Sequence, residues 1–213
     1  MNCDNASLLL YAVTDRSWLH GQTLYEQAEQ ALQGGATFLQ LREKELDEAH
    51  FKEEAIALKA LCKQYGVPFV LDDNVALAVA TDADGVHVGQ EDLEAGLARE
   101  RLGQDRIIGV SAHNAEEARR AQAAGADYIG SGAAFATSTK ENASPIGPEG
   151  LRSVVEAVDI PVVAIGGITR ENISELDGLG LAGVAVVSAL FAQPDVEAAA
   201  RELLPLCEKL AEK

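Results

Sequence analysis

The sequence predicts a closed barrel of eight parallel strands alternating with helices, and three observations carry that reading. Short apolar runs rich in Val, Ile and Leu alternate along the whole chain with longer Ala/Glu/Leu-rich stretches. The gaps between successive runs are too long for hairpins, so the connections are crossovers and the strands are parallel. Eight such units fit into 213 residues, the compact end of the range for a (β/α)8 TIM barrel. An open doubly wound sheet is the alternative. Its dinucleotide fingerprint is missing, because Gly130-Ser131-Gly132 follows a strand without a third glycine at the required spacing. No linker or low-complexity segment interrupts the pattern, so one domain over residues 1–213 is expected.

In chain order, the predicted strands are 8–13, 37–42, 68–72, 85–88, 107–112, 128–133, 162–166 and 183–188, each ending in glycine or polar residues. Helical patterns occupy 24–33, 48–65, 115–124, 148–158 and 196–210. Gly34, Gly125 and Gly180 stand where helix C-caps are expected. Asn114 is the expected N-cap of the helix at 115–124, with Glu117 completing a capping box.

Composition narrows the function. Acidic residues number 34 and basic ones 17, a formal charge of −17, and 47% of the chain is hydrophobic. That charge argues against a nucleic-acid binder, which depends on clustered Lys and Arg, and against an anionic membrane surface. No apolar run approaches the roughly 20 residues that span a bilayer. The first segment has no Lys or Arg ahead of its short apolar stretch, so no signal peptide is expected. Cys3, Cys62 and Cys207 are scattered and form no CxxC pair, which fits a reducing compartment and a cytoplasmic location.

In a parallel barrel, chemistry sits at the C-terminal ends of the strands. The second strand ends Gln40-Leu41-Arg42-Glu43-Lys44, and alternation places Gln40, Arg42 and, if the strand continues, Lys44 on one side. Two cations and an amide at the mouth of so acidic a protein point to a phosphate or pyrophosphate; the competing reading is a salt bridge with Glu43 or Glu45. The third strand ends Asp72-Asp73-Asn74 and the fourth leads to Gly89-Gln90-Glu91-Asp92. Carboxylates on adjacent strand ends, together with a substrate phosphate, suit Mg²⁺; helix capping is the alternative. After the fifth strand, Ser111 is a possible donor to a substrate; His87 and His113 are candidate acid–base groups, with a packed, hydrogen-bonded histidine as the commoner reading near a barrel mouth. The sixth leads through Thr137, Ser138, Thr139 and Lys140, a second set of phosphate-binding side chains in a long polar loop. Gly166-Gly167 after the seventh strand and Val187-Ser188 after the eighth form the phosphate site usual in such barrels. No serine triad or HExxH motif is present.

Taken together, these residues resemble thiamine phosphate synthases. The resemblance runs in order through Tyr11-Ala12-Val13-Thr14-Asp15, Gln40-Leu41-Arg42-Glu43-Lys44, Gly85-Val86-His87-Val88-Gly89-Gln90-Glu91-Asp92, Gly109-Val110-Ser111-Ala112-His113-Asn114, Gly125-Ala126-Asp127-Tyr128, Thr137-Ser138-Thr139-Lys140, Val163-Ala164-Ile165-Gly166-Gly167-Ile168 and Val186-Val187-Ser188-Ala189. It implies a (β/α)8 fold and a transferase of thiamine biosynthesis. Such an enzyme joins hydroxymethylpyrimidine pyrophosphate to a thiazole phosphate and releases pyrophosphate. By position it implies that the Gln40–Lys44 motif, Leu41 and Glu43 included, contacts the pyrimidine pyrophosphate, with Gln40, Arg42 and Lys44 holding it. Asp73 and Asp92 would bind Mg²⁺. Asp72 would lie beside the substrate, where the family usually has Asn. Ser111 and Lys140 would contact the pyrimidine or the departing pyrophosphate, with Ser138 in the same loop. Thr137, Thr139, Gly167, Val187 and Ser188 would hold the thiazole phosphate. Arg42, Lys44, Ser111 and Lys140 are the expected catalytic group. The partners implied are these two small molecules. The alternatives are a thiazole tautomerase-like relative, which has no need of the pyrophosphate cations or both metal carboxylates, and a non-catalytic sensor of phosphate ligands.

Overall fold

A strand buried on both faces reads as a nearly continuous apolar run, and the strands of this chain hold four to six residues each, with polar residues such as Gln40, Asp72, His87, Ser111 and Ser131 confined to the second half of a strand. The computed structural model describes residues 3–89, 95–137 and 144–212. Its strands are β1 (Leu10–Val13), β2 (Phe38–Leu41), β3 (Phe69–Asp72), β4 (Gly85–Val88), β5 (Ile107–Ala112), β6 (Tyr128–Gly132), β7 (Val162–Ile165) and β8 (Gly183–Val186). All neighbours pair in parallel, and β8 returns to β1 to close the barrel. The ladders are shorter than the apolar runs at several ends. Residue 8 closes a 3-10 turn, Ala6–Leu8. Arg42 leaves the β2 ladder because its N–H donates to the Thr14 hydroxyl, at 3.0 Å.

The outer layer is α1 (Leu24–Gln33), α2 (Glu48–Tyr65), α3 (Val75–Thr81), α4 (Ala95–Leu102), α5 (Ala115–Ala123), α6 (Gly147–Val155), α7 (Ser188–Phe191) and α8 (Val196–Ala211). Side chains start most of the longer helices by accepting N–H groups that have no partner within the helix. Thr23 and Glu26 form a full capping box on α1, and Asp47, Asn74 and Asp195 cap α2, α3 and α8. At α5 the capping box is displaced by one residue. Asn114 accepts the Glu117 N–H at 3.0 Å, but the Glu117 carboxylate accepts the N–H of His113, at 2.7 Å, rather than that of Asn114.

One expectation about the helical layer is corrected. The connection after β7 carries only a 3-10 turn, Ile173–Leu176, closed by Asp177; Gly180 therefore caps no helix and sits in the turn into β8. Gly34 does end α1, but for a steric reason: its backbone is right-handed, and a Cβ there would lie 2.4 Å from the Glu197 carbonyl oxygen of α8.

Alternation divides the core in two. Outward residues such as Leu10, Leu39, Leu41, Leu71 and Ile108 pack against helix residues such as Leu58, Leu61 and Leu203. Inward residues Tyr11, Phe38, Val70, Ile107, Tyr128 and Val163 fill the barrel. Among the described residues no helix is long and apolar enough to cross a membrane.

Candidate active site

Above the barrel filling, a cavity of about 490 Å³ opens at the C-terminal ends of the strands, a volume suited to small-molecule substrates. It collects Gln40, Arg42, Lys44, Asp72, Asp73, Ser111, Thr137, Gly167, Val187 and Ser188 on its walls. Two residues of the predicted group are directed elsewhere. Leu41 is fully buried in the layer between strands and helices, as its outward position in β2 requires. The Glu43 side chain is 2% exposed and turns toward Arg16, accepting from its Nε at 2.8 Å. Its other oxygen accepts the N–H groups of Lys44, Glu45 and Leu46, at 2.8, 2.7 and 3.3 Å. Burial opposes its charge, but these N–H donors and the guanidinium hold the carboxyl below its ordinary range. Glu43 thus pins the loop that carries Lys44. The salt bridge weighed for the second strand end goes to Arg16, which also binds Glu54, at 2.7 Å.

The Arg42 guanidinium reaches Asp15 at 3.1 Å, and its Nε lies 3.9 Å from Asp72. Asp72 is the last residue of β3, in register with His87 of β4. Its charge therefore leans on a cation. Asp73 adopts a left-handed backbone at φ +55°, a conformation that Asp tolerates better than most residues. Its own N–H donates to the His87 carbonyl at 2.9 Å, and its carboxylate accepts the Gly89 N–H at 3.2 Å. An exposed carboxylate held at the cavity wall has the hard oxygens that Mg²⁺ takes. Asp92, its expected companion, and Ser138, Thr139 and Lys140 lie outside the described residues. Among the described residues no group of three or more His, Cys, Asp and Glu side chains is placed to hold a metal.

Across the mouth, Gly166 and Gly167 take left-handed backbones, at φ +95° and +67°. A Cβ on Gly167 would lie 2.4 Å from the Ala136 carbonyl oxygen, so the backbone after β7 closes onto the loop after β6 only because this residue is glycine. Val187 and Ser188, at the start of α7, complete that side.

Beneath these groups runs a hydrogen-bond chain that the sequence reading leaves out. Gln40 Nε2 donates to the Tyr11 hydroxyl at 2.8 Å, and the Tyr11 and Tyr128 hydroxyls are 2.8 Å apart. Tyr128 Oη is 2.9 Å from His87 Nδ1, and His87 Nε2 is 3.0 Å from Ser111 Oγ. Burial pushes both phenols well above their ordinary range, so they keep their protons. The expected packed, hydrogen-bonded role holds for His87; His113 is exposed and pairs with Glu117 at 2.9 Å. The available sequence signal was glycine inside strands, Gly109 and Gly130, which marks a close approach by a neighbouring group.

A family model described as thiamine monophosphate synthase matches residues 10–190. The curated thiamine-phosphate synthase of Clostridium botulinum is 45% identical over 94% of this chain and 94% of its own. That of Ruminiclostridium cellulolyticum is 47% identical over 92% of this chain and 94% of its own. The solved thiamine phosphate pyrophosphorylase of Pyrococcus furiosus superposes with a TM-score of 0.90 at 41% identity, covering 98% of this chain and 99% of that one.

Proposed function

The chain belongs to the thiamine monophosphate synthase family, and from that premise we propose that it is a transferase condensing an aminopyrimidine-methyl pyrophosphate with a thiazole phosphate to give thiamine phosphate and pyrophosphate. The observation that carries the reading is the cavity itself. One wall holds Gln40, Arg42 and Lys44, the other Gly167, Val187 and Ser188, so two anionic substrates can lie in one space with their reacting ends between. A tautomerase of the thiazole phosphate, or a sensor of it, has no use for the first wall.

The substrate dictates the mechanism. The aminopyrimidine delocalises positive charge from its exocyclic CH₂, so the C–O bond can break first. Pyrophosphate leaves with the bonding pair, and the thiazole nitrogen lone pair then forms the C–N bond. Arg42 and Lys44 stabilise charge that grows on the leaving group, an effect worth more in the transition state than in the ground state. Lys140 adds a third cation to that group, and Ser111 contacts the pyrimidine. Gly167 and Ser188, with Thr137 and Thr139, hold the thiazole phosphate so that its nitrogen faces the CH₂. Enclosing walls keep water from trapping the cation. Asp73 and Asp92 are the residues that would hold Mg²⁺, which when bound neutralises charge on the pyrophosphate. No protein nucleophile is required. We place the reaction in the cytoplasm, with one catalytic domain over residues 1–213 and no nucleic-acid or membrane partner.

Purified protein mixed with both substrates and Mg²⁺ should form thiamine phosphate, seen by mass, and release one pyrophosphate per product. Pyrophosphate release without thiamine phosphate, at the same rate with and without the thiazole, would refute the condensation.

A further inference from the structure

Where the ladder between β1 and β2 ends, side chains carry the pairing on. Val13 and Gln40 are its last partners in register. Beyond them the Thr14 N–H donates to the Gln40 carbonyl at 3.0 Å, and the Thr14 hydroxyl accepts the Arg42 N–H at 3.0 Å. Asp15 and Arg16 then meet Arg42 and Glu43 with opposite signs. Asp15 accepts from Arg42 Nη1 at 3.1 Å, and Arg16 Nε donates to Glu43 at 2.8 Å. Asp15 also fixes the backbone that carries Arg16, because its other oxygen accepts the Ser17 N–H at 2.9 Å and caps the 3-10 turn Arg16–Trp18.

Arg16 does not line the cavity. Its Nη2 lies 2.7 Å from a Glu43 oxygen and 2.7 Å from an oxygen of Glu54, on α2. One nitrogen thus stands between two carboxylates. The second oxygen of Glu43 accepts the N–H groups of Lys44, Glu45 and Leu46. Without the guanidinium, the Glu43 and Glu54 carboxylates would face each other at close range, and like charges so placed do not both stay ionised. Either Glu43 takes a proton and holds the three N–H groups more weakly, or it turns away and releases them. In both cases the backbone of Lys44 loses its anchor. A cation that meets charge developing on a leaving group contributes only while it is held in place.

We propose that Arg16 is a positioning residue for the transfer reaction: it holds Glu43 where that carboxylate fixes the backbone of Lys44, and so keeps the Lys44 ammonium against the departing pyrophosphate. This rests on the proposed function, in which Lys44 stabilises the leaving group. Arg16 touches neither substrate, so its effect on the reaction passes through Lys44.

The test is a kinetic double-mutant cycle on the full chain with both substrates and Mg²⁺. Arg16→Met keeps an unbranched stem and removes the guanidinium. It should lower kcat about tenfold and raise KM for the pyrimidine pyrophosphate, with KM for the thiazole phosphate within about twofold of wild type. Arg16→Lys, which keeps a charge between the carboxylates but not the fork, should lie closer to wild type than Arg16→Met does. Lys44→Ala should lower kcat by itself. Adding Arg16→Met to it should change kcat by less than about twofold further, because the group that Arg16 positions is gone. Glu43→Gln interrupts the same relay at its middle and should give the same pattern, which keeps the test decisive if Arg16→Met does not fold. Losses that multiply in the double variants, or an equal rise in KM for both substrates, would overturn the inference and make Arg16 a structural residue only. A wild-type rate in Lys44→Ala would also overturn it while leaving the condensation intact. A wild type that forms no thiamine phosphate would instead overturn the substrate reading, and the inference with it.

Discussion

Gly109→Ala tests whether the barrel is packed around Tyr128 as described. The new Cβ would lie 2.1, 2.3 and 2.5 Å from Cζ, Oη and Cε1 of Tyr128, against about 3.5–4.0 Å for ordinary carbon contacts. Tyr128 is fully buried, and its hydroxyl bonds Tyr11 and His87, so the ring cannot swing clear without losing both partners. Overpacking of this kind costs about 1–3 kcal/mol, and two lost hydrogen bonds add about 1 kcal/mol each. A total of about 3–5 kcal/mol lowers Tm by roughly 6–20 °C in a chain of this size. Thermal unfolding by circular dichroism measures it. In a Tyr128→Leu background, where no ring atom occupies the space, the same substitution should cost far less, a non-additivity expected of touching residues. A Tm for Gly109→Ala within 2 °C of wild type would refute the packing argument.

Other consequences follow from the cavity walls. Glu43→Gln should destabilise the chain by about 1–3 kcal/mol at pH 7, because a charged acceptor of several N–H groups is lost. Its carboxyl is depressed in the folded state, so its contribution is present above the unfolded carboxylate pKa of about 4.3 and is lost as pH falls through the folded value. Urea unfolding should therefore show the gap between Glu43→Gln and wild type narrowing below about pH 4. Ser188→Phe should raise KM for the thiazole phosphate by about tenfold or more while leaving pyrimidine binding nearly unchanged; equal losses would refute the two-wall division. Asp72→Asn removes a negative charge 3.9 Å from Arg42 and should bind the pyrimidine pyrophosphate one to about five times as tightly as wild type. A much higher Mg²⁺ requirement in that variant would make Asp72 a metal ligand instead.

The barrel is legible in the sequence because strands buried on both faces leave apolar runs rich in Val, Ile and Leu, in which the few polar residues, such as Gln40 and Ser111, stand in the second half of the strand. Strand ends are less legible, since the apolar character of residue 8 continues beyond the ladder. The helix α3, Val-Ala-Leu-Ala-Val-Ala-Thr, is apolar nearly all round and shows no amphipathic period. Arg42 and Lys44 stand out because cations are scarce in this chain. Leu41 and Glu43 share their motif but not their direction: alternation sends Leu41 outward, and Arg16, distant in sequence, captures Glu43. The Gln40–Ser111 chain is assembled from five strands with no constant spacing, so only the folded barrel brings it together.

The most direct test of the two-wall account is a crystal structure of the protein with thiamine phosphate, pyrophosphate and Mg²⁺. The account predicts pyrophosphate within hydrogen-bond distance of Arg42 and Lys44, and the thiamine phosphate group against the backbone at Gly167 and Ser188. Pyrophosphate seated at Ser188, or the thiazole phosphate seated at Arg42, would contradict it.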